Sequence, residues 1–401
     1  MEREIISLVA SILLIVILVR LRVDLGVSML AGAASLALIV GRSVGWTAVQ
    51  LGRSAIAVDT LLLLGRIVTI IALGALAGRL GYLDRLVSGL RRLIADNRVV
   101  VALMPAFGGL LPMPGGAMLT APMVESAASG GSATPEQKFF INYWFRHPWE
   151  YIWPLYPGVV VGSALVGRKV GDLFAANWPA TLTALVTGVA FVLWHVDVGR
   201  NERARADAGA RNDLLMGVWP FAVVIAGVLV LKLELIIVAL AVIVFLMIFE
   251  KGTARDLGLS FRRGVEFQII MLVVGVAAYQ HLLTAAGIVE AVPPFFMRMN
   301  MPELFVIAAV PMIVGLITGV TLAYIAVSFP LLLPLMGGDS VDMELVMLAY
   351  ISGFVGVLLS PVHLCLVLSR EYFRASLGGS YRLLVLPCVI IMVVAVLIVL
   401  V

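Results

Sequence analysis

Two short segments hold most of the side chains able to do chemistry. "FRHPWEYIWPLYPG", residues 145–158, sets Arg146, His147 and Glu150 close together and then interrupts the chain with Pro148, Pro154 and Pro157. "LLSPVHLCL", residues 358–366, places Ser360, Pro361 and His363 in an otherwise apolar run. Imidazole titrates near neutrality, so His147 and His363 can bind a substrate or carry a proton. Arg146 and Glu150 stand four residues apart: they neutralise one another if the helix continues, or Arg146 is left to contact an anion. Ser360 and His363 raise a second chemistry, a nucleophilic dyad for intramembrane hydrolysis. No oriented acid or oxyanion motif accompanies them, so Ser360 before Pro361 reads as an N-cap and first-turn pair that restarts a helix. The chain is not expected to be an enzyme.

The surroundings of these residues are apolar. Of 401 residues 62% are hydrophobic and only 13% charged, with a mean hydropathy of +1.10. That composition excludes an ordinary soluble domain and implies an integral membrane protein of many spans. A sequence pI of about 9.2 and a net charge of +4 do not point to nucleic acid, because the basic residues fall between apolar runs and orient the chain in the bilayer. Cys365 and Cys388 lie in apolar runs without partner spacing, so neither a disulfide framework nor a metal site is read from them. No Gly-rich Walker loop occurs, which argues against ATP-driven transport. Residues 1–22, with acidic and basic residues balanced before the apolar run and Arg20 and Arg22 after it, read as a first span rather than a secretory signal.

Runs long enough to span as helices occur near 4–20, 23–40, 57–79, 136–167, 176–195, 214–231, 233–249, 265–287, 343–370 and 381–401. Two more, 99–129 and 302–336, carry Pro and Gly at their midpoints and read as re-entrant hairpins. The polar segment 196–213 divides the chain. A shift of 206 positions carries Gly81 onto Gly287, Asp84 onto Glu290, Pro105 onto Pro311 and Gly109 onto Gly315. The expected fold is an all-α polytopic membrane protein with about ten transmembrane helices plus two re-entrant hairpins in two inverted-topology repeats. The first repeat is 1–195 with hairpin 99–129, the cytoplasmic linker is 196–213, and the second repeat is 214–401 with hairpin 302–336. In transporters built this way, Pro/Gly-broken segments at matching positions mark the binding site.

Nineteen of the 28 Lys and Arg residues fall on the face holding loops 80–98, 196–213, 250–264 and 370–382. Arg3, Arg42, Arg53, Arg168, Lys169, Lys232 and Arg298 fall on the other, and Arg66 and Arg146 lie inside spans. The richer face is expected to be cytoplasmic, which puts both termini outside a cell (inner) membrane and opens hairpin 99–129 from the cytoplasm.

The hairpin tips and the two broken spans are expected to meet near mid-membrane, with positive half-helix ends favouring an anion and unwound carbonyls suiting a cation. At the first tip, Pro112, Met113, Pro114, Gly115 and Gly116 would offer bare backbone N–H groups, the glycines allowing close approach. At the second, Thr318, Gly319 and Thr321 supply hydroxyls and a flexible backbone. Arg146, His147, Ser360, Pro361 and His363 complete the substrate set, and Glu125 and Glu150 are the candidates for a coupling ion. "TPEQ" at 134–137 reads as a capping box. Asp59 and Arg66, seven residues apart, read as a pair within the third span. Gly315 with Gly319, Gly74 with Gly78, and Gly158 with Gly162 read as close-packing faces.

"LLPMPGGAMLTAPMVE" and "LSPVHLCLVLSREYF" resemble the domain-of-unknown-function 401 family of membrane proteins, grouped in the ion transporter superfamily. The resemblance implies a homodimer with a scaffold and a mobile transport part, and an elevator-like movement of substrate. It also implies organic anions such as dicarboxylates as cargo, often with sodium. The tips here read "PMPGG" and "TGVT" instead of the Ser-Asn-Thr runs that bind sodium and carboxylate in those relatives, so the resemblance does not carry sodium coupling over, and the coupling ion is expected to be a proton or sodium. The functional expectation is a secondary active transporter of a small anionic, carboxylate-like metabolite, with no cofactor, no metal and no nucleic acid partner. The alternatives are a passive anion channel and the intramembrane hydrolase.

Overall fold

The computed structural model describes residues 2–94, 96–110, 117–199, 208–250, 252–338 and 340–401, and every regular element among them is helical. The first half holds α1 (Glu2–Arg20), α2 (Leu25–Val40), α3 (Val44–Ala55), α4 (Val58–Arg79), α5 (Tyr82–Leu93), α6 (Asn97–Gly108), α7 (Ala117–Ala127), α8 (Pro135–Arg146), α9 (Pro157–Leu165) and α10 (Val170–His195). The second half holds α11 (Ala208–Ile225), α12 (Leu235–Phe249), α13 (Ala254–Gly264), α14 (Phe267–Ala285), α15 (Val292–Arg298), α16 (Glu303–Thr318), α17 (Thr321–Leu332), α18 (Met343–Leu358), α19 (Leu364–Phe373) and α20 (Leu377–Leu400). Among the described residues, five helices are long and apolar enough to cross a membrane: α4, α10, the segment Gly209–Val230, α14 and α20.

The helices sort by packing into two groups. In one, α2 lies along α1 and α14, α4 along α12 and α13, and α5 along α11. In the other, α6 and α7 pack on each other and on α8, α16 and α17 pack on each other and on α18, and α10 and α20 both contact α8 and α18. The groups meet where α14 touches α17, α4 touches α9, α5 touches α6 and α1 touches α16. Close backbone approach brings α16 onto α18: a Cβ on Gly356 would lie 2.1 Å from the carbonyl oxygen of Met312, and one on Gly315 2.2 Å from that of Gly353.

Local signals set several boundaries. Thr134 caps α8 by accepting from the Gln137 N–H, the Gln137 side chain accepts from the Thr134 N–H, and Pro135 occupies the first turn. Thr253 and Asp256 cap α13 in the same way.

Three sequence expectations need correction. The segments 80–98 and 250–264, read as loops, contain α5 and α13, short amphipathic helices that lie against α11 and α4. Arg66 does not pair with Asp59. It reaches Glu234 at 3.0 Å, across to the start of α12, while Asp59 sits exposed in the first turn of α4. Two helical turns separate positions seven apart by roughly 10 Å, too far for a direct contact when a carboxylate on the neighbouring helix is nearer. Ser360 is not the cap of α19, which starts at Leu364 with His363 at the N-cap; the Ser360 hydroxyl accepts from the Val362 N–H and closes a turn.

Candidate functional site

Proline places both helix breaks. Helix α8 ends at Arg146 because Pro148 has no N–H and restrains the residue before it. A single 3-10 turn, Pro148–Tyr151, follows, and α9 restarts with Pro157 in its first turn. Helix α18 ends at Leu358, residues 359–363 turn around Pro361, and α19 begins. The second hairpin bends where Gly319 takes a left-handed conformation, φ +66°, and donates its N–H to the Gly315 carbonyl.

The two breaks meet. His147 Nε2 lies 3.2 Å from His363 Nε2, both side chains buried. His147 Nδ1 is 2.5 Å from the Tyr143 carbonyl and His363 Nδ1 is 2.8 Å from the Gly319 carbonyl, so the second histidine is tied to the hairpin bend. Glu150, 8% exposed, lies 3.9 Å from His147 Nε2, accepts from the Thr321 hydroxyl at 3.2 Å, and its carbonyl accepts from the Tyr350 hydroxyl at 2.8 Å. Residues of α8, α17, α18 and α19 and the Gly319 bend therefore converge on one buried polar point.

Three half-helices begin there without a side-chain cap: α9 after Tyr156, α17 after Val320 and α19 after His363. Their first N–H groups carry partial positive charge that attracts an anion. Nearby, the Tyr151 hydroxyl and the Trp153 indole N–H are buried with no hydrogen-bond partner among the described residues. Buried polar groups left in this way are uncommon.

The first hairpin attaches to the same break. The end of α6 and the residue after it present the carbonyls of Ala106, Gly108 and Gly109, which accept from Trp149 Nε1 at 2.7 Å, Arg146 at 3.1 Å and the Tyr156 hydroxyl at 2.5 Å. Arg146, 2% exposed, thus brings its cation to a helix C-terminus rather than pairing with Glu150 at i,i+4, because the helix stops between them.

Of the residues singled out in the sequence, His147, Glu150, Gly319, Thr321, Ser360 and His363 are gathered at the junction. Thr318 turns its hydroxyl back to the Val314 carbonyl of its own helix at 2.7 Å. Pro361 is exposed. Glu125 sits apart, paired with Lys138 at 2.8 Å and half exposed. Pro112, Met113, Pro114, Gly115 and Gly116 lie outside the described residues. Two features escaped the sequence reading. Cys365 shares the junction, with a ligand atom of each of His147, His363 and Cys365 within 4.8 Å of the others. Asn142, fully buried, accepts from Thr120 at 2.6 Å and donates to Ser369 at 2.9 Å, tying α8 to α7 and α19. An Asn inside an apolar helix was the available signal for the second.

A cavity of about 770 Å³ opens between α4, α9, α10 and α12. Arg66, Arg168, Lys169 and Lys232 line it together with Asp172 and Glu234, which makes it net basic.

A family model matches residues 4–401, nearly the whole chain. The chain belongs to the DUF401 family. Its description is "Protein of unknown function", so membership assigns no activity. No curated protein matches the chain.

Proposed function

We propose that this member of the family is a secondary active transporter of a small carboxylate-like anion, driven by a proton or sodium gradient through elevator-type alternating access. The observation that carries the reading is the meeting of two helix breaks, from opposite halves of the chain, at His147 and His363, 3.2 Å apart. Irregular backbone at membrane depth is tolerated only where protein or a wet cavity shelters it, and transporters place such breaks at the substrate. Uncapped starts of α9, α17 and α19 supply the positive field, and the basic cavity would raise the local concentration of anions.

The repeat supports the same reading. A shift of 206 positions carries α6, α7, α8, α9 and α10 onto α16, α17, α18, α19 and α20, and the two breaks onto each other. Gly81 and Gly287, one shift apart, both adopt left-handed conformations, φ +77° and +75°. The hairpin arms α6, α7 and α17, of 12, 11 and 12 residues, are each about 18 Å long or less, short of the ~30 Å hydrocarbon core. Our reading makes the helices from α6 to α10 and α16 to α20 the moving part and the remainder a scaffold, in a homodimer of the inner membrane with both termini outside.

The test is a thermal-stability screen of the detergent-purified protein against carboxylates, sugar acids and inorganic anions, with and without sodium, at several pH values. Any stabilising anion is then offered to proteoliposomes. Accumulation against its own gradient under an imposed proton or sodium gradient is the expected result. Flux that only runs downhill would instead make the protein a passive channel.

A further inference from the structure

We infer that His147, His363 and Cys365 form a site for a borderline-soft divalent cation such as Zn²⁺, with Glu150 able to supply the fourth position. This goes beyond the transport reading and does not depend on it, since the ion can be resident or carried.

Hydrogen bonding fixes the imidazoles. The Tyr143 and Gly319 carbonyls can only accept, so His147 Nδ1 and His363 Nδ1 each carry the proton. With Nδ1 carrying the proton, the nitrogen each ring has left to offer a lone pair is Nε2, and the two Nε2 atoms lie 3.2 Å apart. Two lone pairs at that distance repel unless something positive lies between them. Zn–N bonds of about 2.0–2.1 Å at a tetrahedral angle set two nitrogens about 3.3 Å apart. The observed separation matches that geometry, and backbone carbonyls on the far ring nitrogens are the usual way a protein orients histidine ligands.

The third ligand has the right softness. Cys365 is 6% exposed and, like the imidazoles, offers an atom to a cluster within 4.8 Å. Glu150 Oε1 lies 3.9 Å from His147 Nε2, while Thr321 donates to the other carboxylate oxygen and Tyr350 to the Glu150 main-chain carbonyl, which positions the residue. Two nitrogens, one thiolate and one carboxylate suit Zn²⁺ and do not suit Na⁺, Mg²⁺ or Ca²⁺.

The test uses the tag-free protein in detergent, stripped with a chelator and titrated with Co²⁺ as a spectroscopic substitute for Zn²⁺. The expected result is one equivalent bound per chain, with a thiolate-to-cobalt charge-transfer band that Zn²⁺ abolishes and Na⁺ does not. Cys365→Ser should lose the band while Cys388→Ser keeps it, and His147→Ala and His363→Ala should each weaken affinity at least ten-fold. Absence of the band in the parent, or its survival in Cys365→Ser, would overturn the assignment. Should the variants fail to fold, zinc-edge X-ray absorption on the parent alone decides: nitrogen and sulfur neighbours are expected, and a shell without sulfur refutes the site. If a proton shared by the two rings is the true occupant, neither metal binds.

Discussion

The hydroxyl of Thr321 donates to the carboxylate of Glu150 at 3.2 Å, joining the second hairpin to the helix break of the first half. Glu150 is buried, so losing this donor leaves a buried acceptor short of a partner. Thr321→Val should destabilise the protein by about 1–3 kcal/mol, whereas Thr321→Ser should retain most of the stability. Thermal unfolding in detergent reads the difference; equal midpoints for parent and Val variant would show that the contact contributes nothing.

Glycine substitutions should separate packing from tolerance. A Cβ on Gly319 would lie 2.9 Å from the His363 backbone nitrogen in a left-handed conformation, and one on Gly356 would lie 2.1 Å from the Met312 carbonyl. Gly319→Ala and Gly356→Ala should each cost about 1–3 kcal/mol through strain and overpacking. Gly378, with open space around its Cβ position, is the control, and Gly378→Ala should leave the midpoint unchanged or slightly raised.

Much of this architecture is readable from residue types alone, because helix breakers are costly in a membrane and therefore informative. Pro148, Pro361 and Gly319 announce both breaks and the second bend, and Thr134 to Gln137 announces the start of α8. Side-chain partnerships are less legible. Cys365 looks inert in the sequence because its companion His147 is remote and only the packing of α8 on α19 joins them. Arg66 turns to Glu234 for the same reason: partners on neighbouring helices leave no spacing in the chain. Helix α5 was overlooked within a polar segment, although Tyr82, Leu86 and Leu90, all buried, recur at the four-residue spacing of one helix face.

If an anion binds at the junction, stabilisation should grow with its concentration, reaching about 2.7 kcal/mol at a hundred times Kd. His363→Ala should reduce that shift. Arg146→Lys should reduce it as well, because a lysine keeps the charge but loses the planar fork that reaches the Gly108 carbonyl. Undiminished shifts in both variants would remove the two residues from the ligand site.

Outside the helices that are long and apolar enough to cross a membrane, the Thr253 hydroxyl and the Arg79 guanidinium hold the Asp256 carboxyl down to about 2, below its ordinary 3.8. A depressed carboxyl favours the folded state above its unfolded value, and that benefit disappears as pH falls through the folded value. Asp256→Asn should therefore melt below the parent at pH 6, with the gap closing between about pH 4 and pH 2. The effect should be small because the pair is exposed and screened. A gap that persists unchanged at pH 2 would place its origin elsewhere.

The most direct test of the central claim is the reactivity of Cys365 in a Cys388→Ser background, with a zinc chelator present, toward a membrane-impermeant maleimide. Vesicles of either orientation expose one face at a time. A junction opened to each side in turn predicts labelling from both faces. Protection from both faces, with full reaction after unfolding in detergent, would show sealed packing where the account requires a transport site.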